Sequence, residues 1–522
     1  MASSKTRDFV LVYVNGREHR VRGEQAFLQL SDYLRGEMGI CGTKVVCAEG
    51  DCGACSILLG RTNGADALEY KPVNSCIQAM YQLDCSHVIT IEGLTPSASF
   101  CSTANDNCKS ESSPKFAPAV ASATIENISS IQRAMVECHG AQCGYCTPGF
   151  VVSLAALFEE HQGRDSQMCR QDVKDALTGN LCRCTGYESI IKSALMCDAK
   201  TVPSLESIYP SQAMVTAFES HCKTDVLVET EKHALLIPGD VRSAAEFKNT
   251  HKGTVIVSGG TDVCVNINKR GLRPQNIIST CNLRDMNELR LDNDRLLVGA
   301  RVTLADLALF VEGRIPEFFN ILSVFGAPQI RNAGTMAGNI ANGSPIADTV
   351  PFLFVMDADV EVTGLHGARK IPINSFYKGY KTLDLKSDEI ITRVSIPLPS
   401  SNNVLRLFKV SKREHLDISS FTAAVLLTTK SGKTGPETKI EGARIAFGGV
   451  APTVVRLPKT ERFLETAACT FDSFERAGLI AVEEIAPIAD VRGSIDFRKQ
   501  LAENILLKFY FSLEAPEPAC SL

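Results

Sequence analysis

The sequence predicts a multidomain α+β protein, and three observations carry that expectation. At 522 residues the chain has room for about three or four domains of roughly 150 residues each. The apolar pattern changes character along the chain, from strand-like runs to helical periodicity and then to a mixture of both. Of the 20 cysteines, 15 fall in the first 200 residues, several of them in glycine-bearing phrases, and spacing of that kind marks loops built around a metal centre.

Taken in order, FVLVYVNG alternates and is followed by REHRV, which predicts two strands turning at Asn15-Gly16. Residues 25–36 read as a helix. A glycine- and cysteine-rich loop from Cys41 to Cys55 then leads into a strand at Ser56-Ile57-Leu58-Leu59, so that 8–95 forms a compact sheet-plus-helix domain. Residues 96–128, rich in Ser, Ala, Asn and Pro, predict a linker or insertion. Helical patterns in ISSIQRAMVECHG, PGFVVSLAALFEEHQ and QDVKDALTGN make 129–197 a small all-helical domain. Residues 198–232 are polar, hold Pro203 and Pro210, and read as a second linker. Strands and helices joined by glycine turns fill 233–400, and 403–515 reads as strand-like runs alternating with helices. No internal repeat of fixed period is present.

Composition excludes several classes. Lys plus Arg total 54 against 59 Asp plus Glu, a net charge of −5, so there is no broad basic field for nucleic acid or an anionic membrane. Apolar residues at 44% and charged residues at 22% describe a packed globular chain. The N-terminus has no export signal, and no run of about 18 apolar residues occurs, so a soluble, cytoplasmic protein is expected. Without export, many cysteines point to metal or redox chemistry rather than to disulfides.

The first cysteine group is Cys47-x4-Cys52-x2-Cys55, followed after 20 residues by Cys76. This is the spacing of a plant-type [2Fe-2S] site. Two bridged irons need four converging thiolates, and Gly50 and Gly53 let backbone N–H groups approach the sulfurs. Zinc favours paired knuckles over a three-cysteine loop with a remote fourth ligand. The second group, Cys143-x2-Cys146 and Cys182-x-Cys184, is by spacing alone equally compatible with zinc. The remaining cysteines read as small buried hydrophobes or surface thiols, with Cys41 and Cys138 as possible spare ligands.

Further on, VIVSGGTDV (Val255 to Val263) is a strand followed by a diglycine turn whose amides can cradle a pyrophosphate. It lacks the G-x-G-x-x-G pattern of a Rossmann dinucleotide site. The segment FGAPQIRNAGTMAGNIANGSPIADTVP (Phe325 to Pro351) is rich in glycine and small hydroxyl residues, which permit close backbone approach to a large polar ligand.

The phrases GAQCGYCTPGF and TGNLCRCTGYESI, with the first cysteine group, resemble the Fe–S portion of the xanthine dehydrogenase and aldehyde oxidase family. The two glycine-bearing segments and SFYKGYKTLDLKSDEIITRVSIP resemble its FAD domain, and RIAFGGVAPTVVR its flavoprotein C-terminal domain. The resemblance covers nearly the whole chain. It implies a β-grasp ferredoxin-like domain, a four-helix-bundle Fe–S domain, an α+β FAD-binding domain and an α+β flavoprotein C-terminal domain.

The resemblance also implies site residues. Cys47, Cys52, Cys55 and Cys76 would hold one [2Fe-2S] cluster and Cys143, Cys146, Cys182 and Cys184 a second, with Gln142 and Cys184 near a pterin. Ile256, Val257, Ser258, Gly259, Gly260, Thr261 and Asp262 would hold the FAD pyrophosphate and ribose, and Gly334, Thr335, Gly338 and Asn339 would continue that surface. Phe325 would stack near the flavin, Asp348 would accept hydrogen bonds from the adenosine end, Ile391 would pack on the adenine side, and Lys409 would donate to the cofactor. Tyr380 and the loop Lys412 to Asp417 would border a nicotinamide entrance.

The order Fe–S, Fe–S, FAD resembles the small, electron-transfer subunit of a split enzyme of this family. It implies an oxidoreductase of the NAD-dependent xanthine dehydrogenase type whose molybdopterin sits in a partner large subunit, in an (αβ)2 assembly. Hydroxylation of hypoxanthine or xanthine would occur in that partner, so no catalytic acid or base is expected here, and NAD+ would be the acceptor, with O2 as the other choice. Other readings are the same subunit of an aldehyde or N-heterocycle hydroxylase, a self-sufficient NADH diaphorase, and a non-redox zinc scaffold.

Overall fold

The computed structural model describes residues 6–62, 64, 67–95, 128–163, 168–430, 432 and 438–514. The expected linker or insertion at 96–128 lies, except for residue 128, outside the described residues. Two compact units are present, one formed by residues up to 283 together with 327–333, the other by 284–326 together with the residues from 334 onward. The fold is multidomain α+β, as the patterning predicts.

The first unit opens with a β-grasp sheet of strands β1 (Val10–Val14), β2 (Arg17–Val21), β3 (Ser56–Thr62), β4 (Leu68–Asn74) and β5 (Ser86–Ile89) in the order β2-β1-β5-β3-β4. The Asn15-Gly16 hairpin forms with Val14 paired to Arg17, both turn residues taking positive φ as a type I′ turn requires. β1 pairs in parallel with β5, and β5 runs antiparallel to β3. The expected polar and apolar alternation in β1 gives way to burial at four of its five positions, because both faces of the sheet are covered. Val10, Val12, Val14, Ile57 and Leu59 join one core, while Leu11, Leu58 and Ile89 join another with the helical domain. The helix read over 25–36 is broken: Gly23–Phe27 is a 3-10 turn, and helical structure resumes at Leu30–Asp32 and continues as a π turn at Tyr33–Glu37.

The helical domain consists of Ser130–Glu137, Thr147–Glu160, Arg170–Ala176 and Glu188–Met196. Ser129 caps the first by accepting from the Gln132 amide, a contact worth about 1 kcal/mol. Thr147–Glu160 is apolar on most of its circumference, burying Phe150, Val151, Val152, Leu154, Leu157 and Phe158, as a central bundle helix must. The fourth helix has no pattern of its own among those read and enters only through the four-helix bundle that the resemblance implies. It starts from a left-handed Tyr187, so no ordinary capping residue announces it.

The polar stretch 198–232 carries the helices Leu205–Ile208 and Gln212–His221 and the strand β6 (Val226–Glu229). Met214, Val215 and Phe218 are buried there, three apolar contacts sufficient to hold a short helix in otherwise polar sequence. β6 joins β7 (Ala234–Ile237), β8 (Val255–Val257) and β9 (Asn276–Ser279) in the order β6-β7-β9-β8, with β9 parallel to both β7 and β8.

The second unit holds an antiparallel sheet of β10 (Leu289–Asp292), β11 (Arg295–Gly299), β12 (Asp359–Gly364), β13 (Gly367–Pro372) and β16 (Ile390–Pro397) in the order β10-β11-β16-β12-β13, beside a small hairpin of β14 (Tyr377–Gly379) and β15 (Thr382–Leu383). The C-terminal part is a meander, β17 (Asn403–Val410), β18 (Phe421–Thr429), β19 (Ile440–Gly448) and β20 (Val455–Arg456), followed by the helices Pro458–Glu465, Phe471–Glu483 and Ile495–Glu514. Strands come first and helices after, rather than alternating. Phe421, Val425, Ile445 and Phe447 from the sheet share a core with Phe474 and Phe509 from the helices.

Candidate functional site

The loop carrying Cys47, Cys52 and Cys55 has positive φ at Ala48, Gly50 and Gly53, a winding that turns successive amides inward. The Cys52 amide donates to Cys47 Sγ at 3.4 Å. A Cβ on Gly50 would lie 2.5 Å from Ile77 Cδ1, and one on Gly53 would lie 2.2 Å from the Gly179 carbonyl oxygen. Gly53 is therefore required by space as well as by conformation, and Gly50 by its positive φ. Asn74, buried at the end of β4, donates to the Gly50 carbonyl at 2.8 Å and faces Cys55 Sγ. Cys76 follows in the 3-10 turn Ser75–Ile77, and Asn268 donates to both its carbonyl, at 2.8 Å, and that of Ala48, at 3.0 Å.

The four thiols interact directly: Cys52 and Cys76 hydrogen-bond to Cys47, which pulls its thiol down, and the same contacts push Cys76 well up, with Cys55 as its other thiol neighbour. In the helical domain, Cys143 and Cys184 are exposed with their sulfurs 3.5 Å apart, and Cys146 and Cys182 hydrogen-bond to one another. Burial and the Cys182 contact push the Cys146 thiol up to about 12. The Cys182 amide donates to Tyr187 Oη at 3.0 Å. Among the described residues no group of three or more His, Cys, Asp or Glu side chains closes on a single ion. In the second group the thiols meet in two pairs, Cys143 with Cys184 and Cys146 with Cys182, an arrangement that fits two irons with two thiolates each. Gln142, the other residue expected near a pterin, is exposed beside Cys143.

Of the expected spare ligands, Cys138 is buried with its sulfur 3.7 Å from Met196 Sδ, and Cys41 is exposed in the loop before the first group.

The two cysteine loops touch. The Leu181 amide, next to Cys182, donates to the Cys52 carbonyl at 3.0 Å, and Asn180 Nδ2 donates to the Gly53 carbonyl at 3.2 Å. A Cβ on Gly149, just after Cys146, would lie 2.1 Å from that same Gly53 oxygen. None of Asn74, Asn180, Asn268, Gly149 or Gly179 was singled out by the sequence reading. The one available signal was the position of Gly179-Asn180 immediately before Leu181-Cys182.

In the diglycine segment, Ile256 and Val257 lie in β8, and Ser258 to Asp262 lead into the helix Val263–Arg270. Gln82 donates to the Ser258 carbonyl at 3.0 Å, Gln78 to the Gly259 carbonyl at 3.2 Å, and the Cys264 amide to the Gly260 carbonyl at 2.8 Å. The carbonyls are thus pinned by protein, while among the described residues the amides of Gly259, Gly260 and Thr261 make no hydrogen bond. Unpaired amides above a strand end are the donor set a pyrophosphate fits. Gly260 has φ +72°, and a Cβ there would lie 2.6 Å from the Gln82 amide.

In the second unit, Gly334 accepts from the Leu304 amide at 2.8 Å, and Thr335 caps the helix Met336–Asn342 by accepting from the Gly338 amide at 3.0 Å. Asn339 accepts from Thr349 Oγ1 at 2.7 Å. Lys409 on β17 donates to Asp348 Oδ2 at 2.8 Å and to the Val324 carbonyl at 3.0 Å, with its Nζ 6.0 Å from the Phe325 ring centre. Ser419 donates to the other Asp348 oxygen at 2.5 Å. Ile391 is buried on β16, opposite Val362 where the register shifts. Tyr380 is exposed, and in the loop Lys412 to Asp417 Arg413 pairs with Asp417 at 2.6 Å.

Residues 120–195 match the [2Fe-2S] binding domain family, residues 230–399 the FAD binding domain in molybdopterin dehydrogenase, and residues 406–513 the CO dehydrogenase flavoprotein C-terminal domain. The chain thus carries the Fe–S and FAD domains of the molybdenum hydroxylases, a class of oxidoreductases. Xanthine dehydrogenase 1 of Arabidopsis thaliana is 26% identical over 566 residues, which cover 96% of this chain and 39% of the relative. Aldehyde oxidase 1 of Bos taurus is 25% identical over 560 residues, 97% of this chain and 39% of the relative. The chain therefore spans well under half the length of these relatives. A solved chain of carbon monoxide dehydrogenase from Hydrogenophaga pseudoflava, in a form lacking the Mo-pyranopterin moiety of the molybdenum cofactor, shares the fold at a TM-score of 0.50 and 22% identity, over 55% of this chain and 99% of its own. Among the described residues no helix is long and apolar enough to cross a membrane.

Proposed function

We propose that this chain is the electron-transfer part of a molybdenum hydroxylase of the xanthine dehydrogenase type, carrying electrons from a molybdopterin-binding partner subunit through two [2Fe-2S] clusters to FAD and on to NAD+ during hypoxanthine or xanthine oxidation. The observation that carries this reading is the meeting of the two cysteine groups, across the Leu181 to Cys52 hydrogen bond of 3.0 Å and the Asn180 to Gly53 hydrogen bond of 3.2 Å. A zinc scaffold has no use for two thiol-rich loops in contact, whereas electron exchange falls steeply with separation.

The residues divide the work. Cys47, Cys52, Cys55 and Cys76 hold one cluster, and the buried Cys55 and Cys76 keep water from that side of it. Cys143, Cys146, Cys182 and Cys184 hold the other, and the exposure of Cys143 and Cys184 leaves it open to a partner's donor, with Gln142 alongside. The amides of Gly259 to Thr261 hold the FAD pyrophosphate, and Ile256 to Asp262, Phe325, Gly334, Thr335, Gly338, Asn339, Asp348, Ile391 and Lys409 are the FAD contacts. No residue of the chain acts as an acid or base on the oxidised substrate.

The same chemistry serves an aldehyde hydroxylase, a reading favoured by the 25% identity to aldehyde oxidase 1 over 97% of the chain. The test is iron, sulfide and flavin analysis of the anaerobically purified chain, with its visible spectrum before and after NADH. About four irons and one FAD, bleached by NADH, support the proposal. Zinc without flavin overturns it, and co-purification of a pterin-bearing large subunit, assayed with purines and aldehydes, decides the substrate.

A further inference from the structure

Gln329 is 1% exposed and lies where the two cysteine loops meet. Its Nε2 donates to Asn180 Oδ1 at 3.0 Å, to Ser56 Oγ at 3.2 Å and to Ser153 Oγ at 3.3 Å. Ser153 Oγ in turn donates to Asn180 Oδ1 at 2.8 Å, Ser56 Oγ to the Gly53 carbonyl at 2.7 Å, and Asn180 Nδ2 to that carbonyl. One side-chain amide thus ties a residue of the first cysteine loop's strand, a residue of the central bundle helix and the residue two before Cys182. The other end of the amide, Oε1, is buried without a hydrogen-bond partner. Leaving a buried acceptor unsatisfied is costly, so the side chain is held there against a local penalty. It fits only because Gly179 has no side chain: a Cβ there would lie 1.9 Å from Gln329 Oε1.

We propose that Gln329 is a positioning residue, which through Asn180 and Gly53 fixes the separation of the two cysteine tetrads and thereby sets the magnetic and electronic interaction between the centres they hold. The inference rests on the two-cluster reading above. The network reaches the cysteine loops at Gly53, between Cys52 and Cys55, at Ser56 and at Asn180 before Cys182, with Ser153 of the bundle helix as a further link, and none of these ends on a thiol. Its effect is therefore on distance and orientation rather than on ligation. A buried amide network of this kind loses several bonds together when one member is removed.

The test compares the full chain with Gln329→Met, which keeps the side-chain volume and removes the amide, and with Asn180→Ala, which removes both the donor to Gly53 and the acceptor for Ser153 and Gln329 without adding a charge. Iron content, the visible spectrum and the low-temperature electron paramagnetic resonance spectrum of the fully reduced chain are recorded for each. The wild type is expected to show cluster signals split by their mutual interaction, and the variants to keep their iron and visible spectrum while losing part of that splitting. An unsplit wild type holding both clusters, or unchanged splitting in both variants, overturns the inference. Loss of iron from both variants overturns it as well, because the residues then serve assembly rather than spacing. A wild type without two clusters is detected separately by iron analysis, and in that case the two-cluster reading fails first.

Discussion

Lys409 Nζ stands 2.8 Å from Asp348 Oδ2, with the two side chains only 5% and 9% exposed. The pair joins β17 to the segment before the helix Val350–Val355, and Ser419 and the Val324 carbonyl satisfy further valences. Removing one partner strands the other charge in a dry site, at a cost of about 3–5 kcal/mol. Lys409→Met and Asp348→Asn are each expected to lower the unfolding midpoint in denaturant, and Lys409→Met to lower it more, since it leaves a bare carboxylate. The double variant is expected to recover much of the loss. Strict additivity of the two single effects would show that the pair is not coupled.

Gly260 tests the phosphate cradle. Its φ of +72° costs an ordinary L-residue about 1–2 kcal/mol, and the added Cβ would push on the Gln82 amide at 2.6 Å. Gln82 holds the Ser258 carbonyl, so its displacement releases the turn that aims the free amides. Gly260→Ala is expected to purify with reduced flavin while keeping its iron, measured by flavin fluorescence after denaturation. Full flavin occupancy would place the pyrophosphate elsewhere.

How much of this was legible in the sequence follows from the range of the interactions involved. The Asn15-Gly16 hairpin, the cysteine spacings and the apolar helix Thr147–Glu160 are set by residues close in sequence, and each could be read. The double burial of β1 could not be inferred from the strand alone, because it depends on two cores that also draw in residues more than a hundred positions away. The helices within 198–232 were hidden by their polar composition, since only Leu205, Met214, Val215 and Phe218 of them face inward. At the cysteine loops the spacing of the cysteines is legible, but the residues that hold the loops together are not. Gln329 lies 149 residues from Asn180, and a single buried glutamine carries no periodic signal.

Gly53 provides a steric test of the loop contact. A Cβ there meets the Gly179 carbonyl at 2.2 Å and Asn180 Nδ2 at 2.7 Å, and a backbone carbonyl inside a packed junction has little room to give. Gly53→Ala is expected to lose iron from the first cluster and to lower the thermal midpoint. Gly163→Ala, also at positive φ but with nothing within 4 Å, is expected to keep its full iron content. Equal iron in the two variants would mean that the cysteine loops can separate without consequence.

His87 makes acid stability a property of the β-grasp sheet. It is fully buried on β5, where the Gly16 amide donates to Nε2 at 3.0 Å and Tyr70 Oη lies 2.8 Å from Nδ1. The amide fixes Nε2 as acceptor, so Nδ1 carries the proton of the neutral ring and donates to Tyr70. Burial lowers the ring from an ordinary 6.5 to about 3. The unfolded chain therefore takes up a proton below about pH 6.5 that the folded chain refuses until about pH 3, so the stability present above that window is lost as pH falls through it, by up to about 1.4 kcal/mol per unit. His87→Gln retains an acceptor for Gly16 but does not titrate. It is expected to be the less stable protein near pH 8, with the difference narrowing steadily between about pH 6.5 and about pH 4.5 as the wild type alone pays the histidine linkage. Denaturant midpoints of the two chains across that range supply the comparison, and a constant difference would mean that His87 accepts its proton inside the fold.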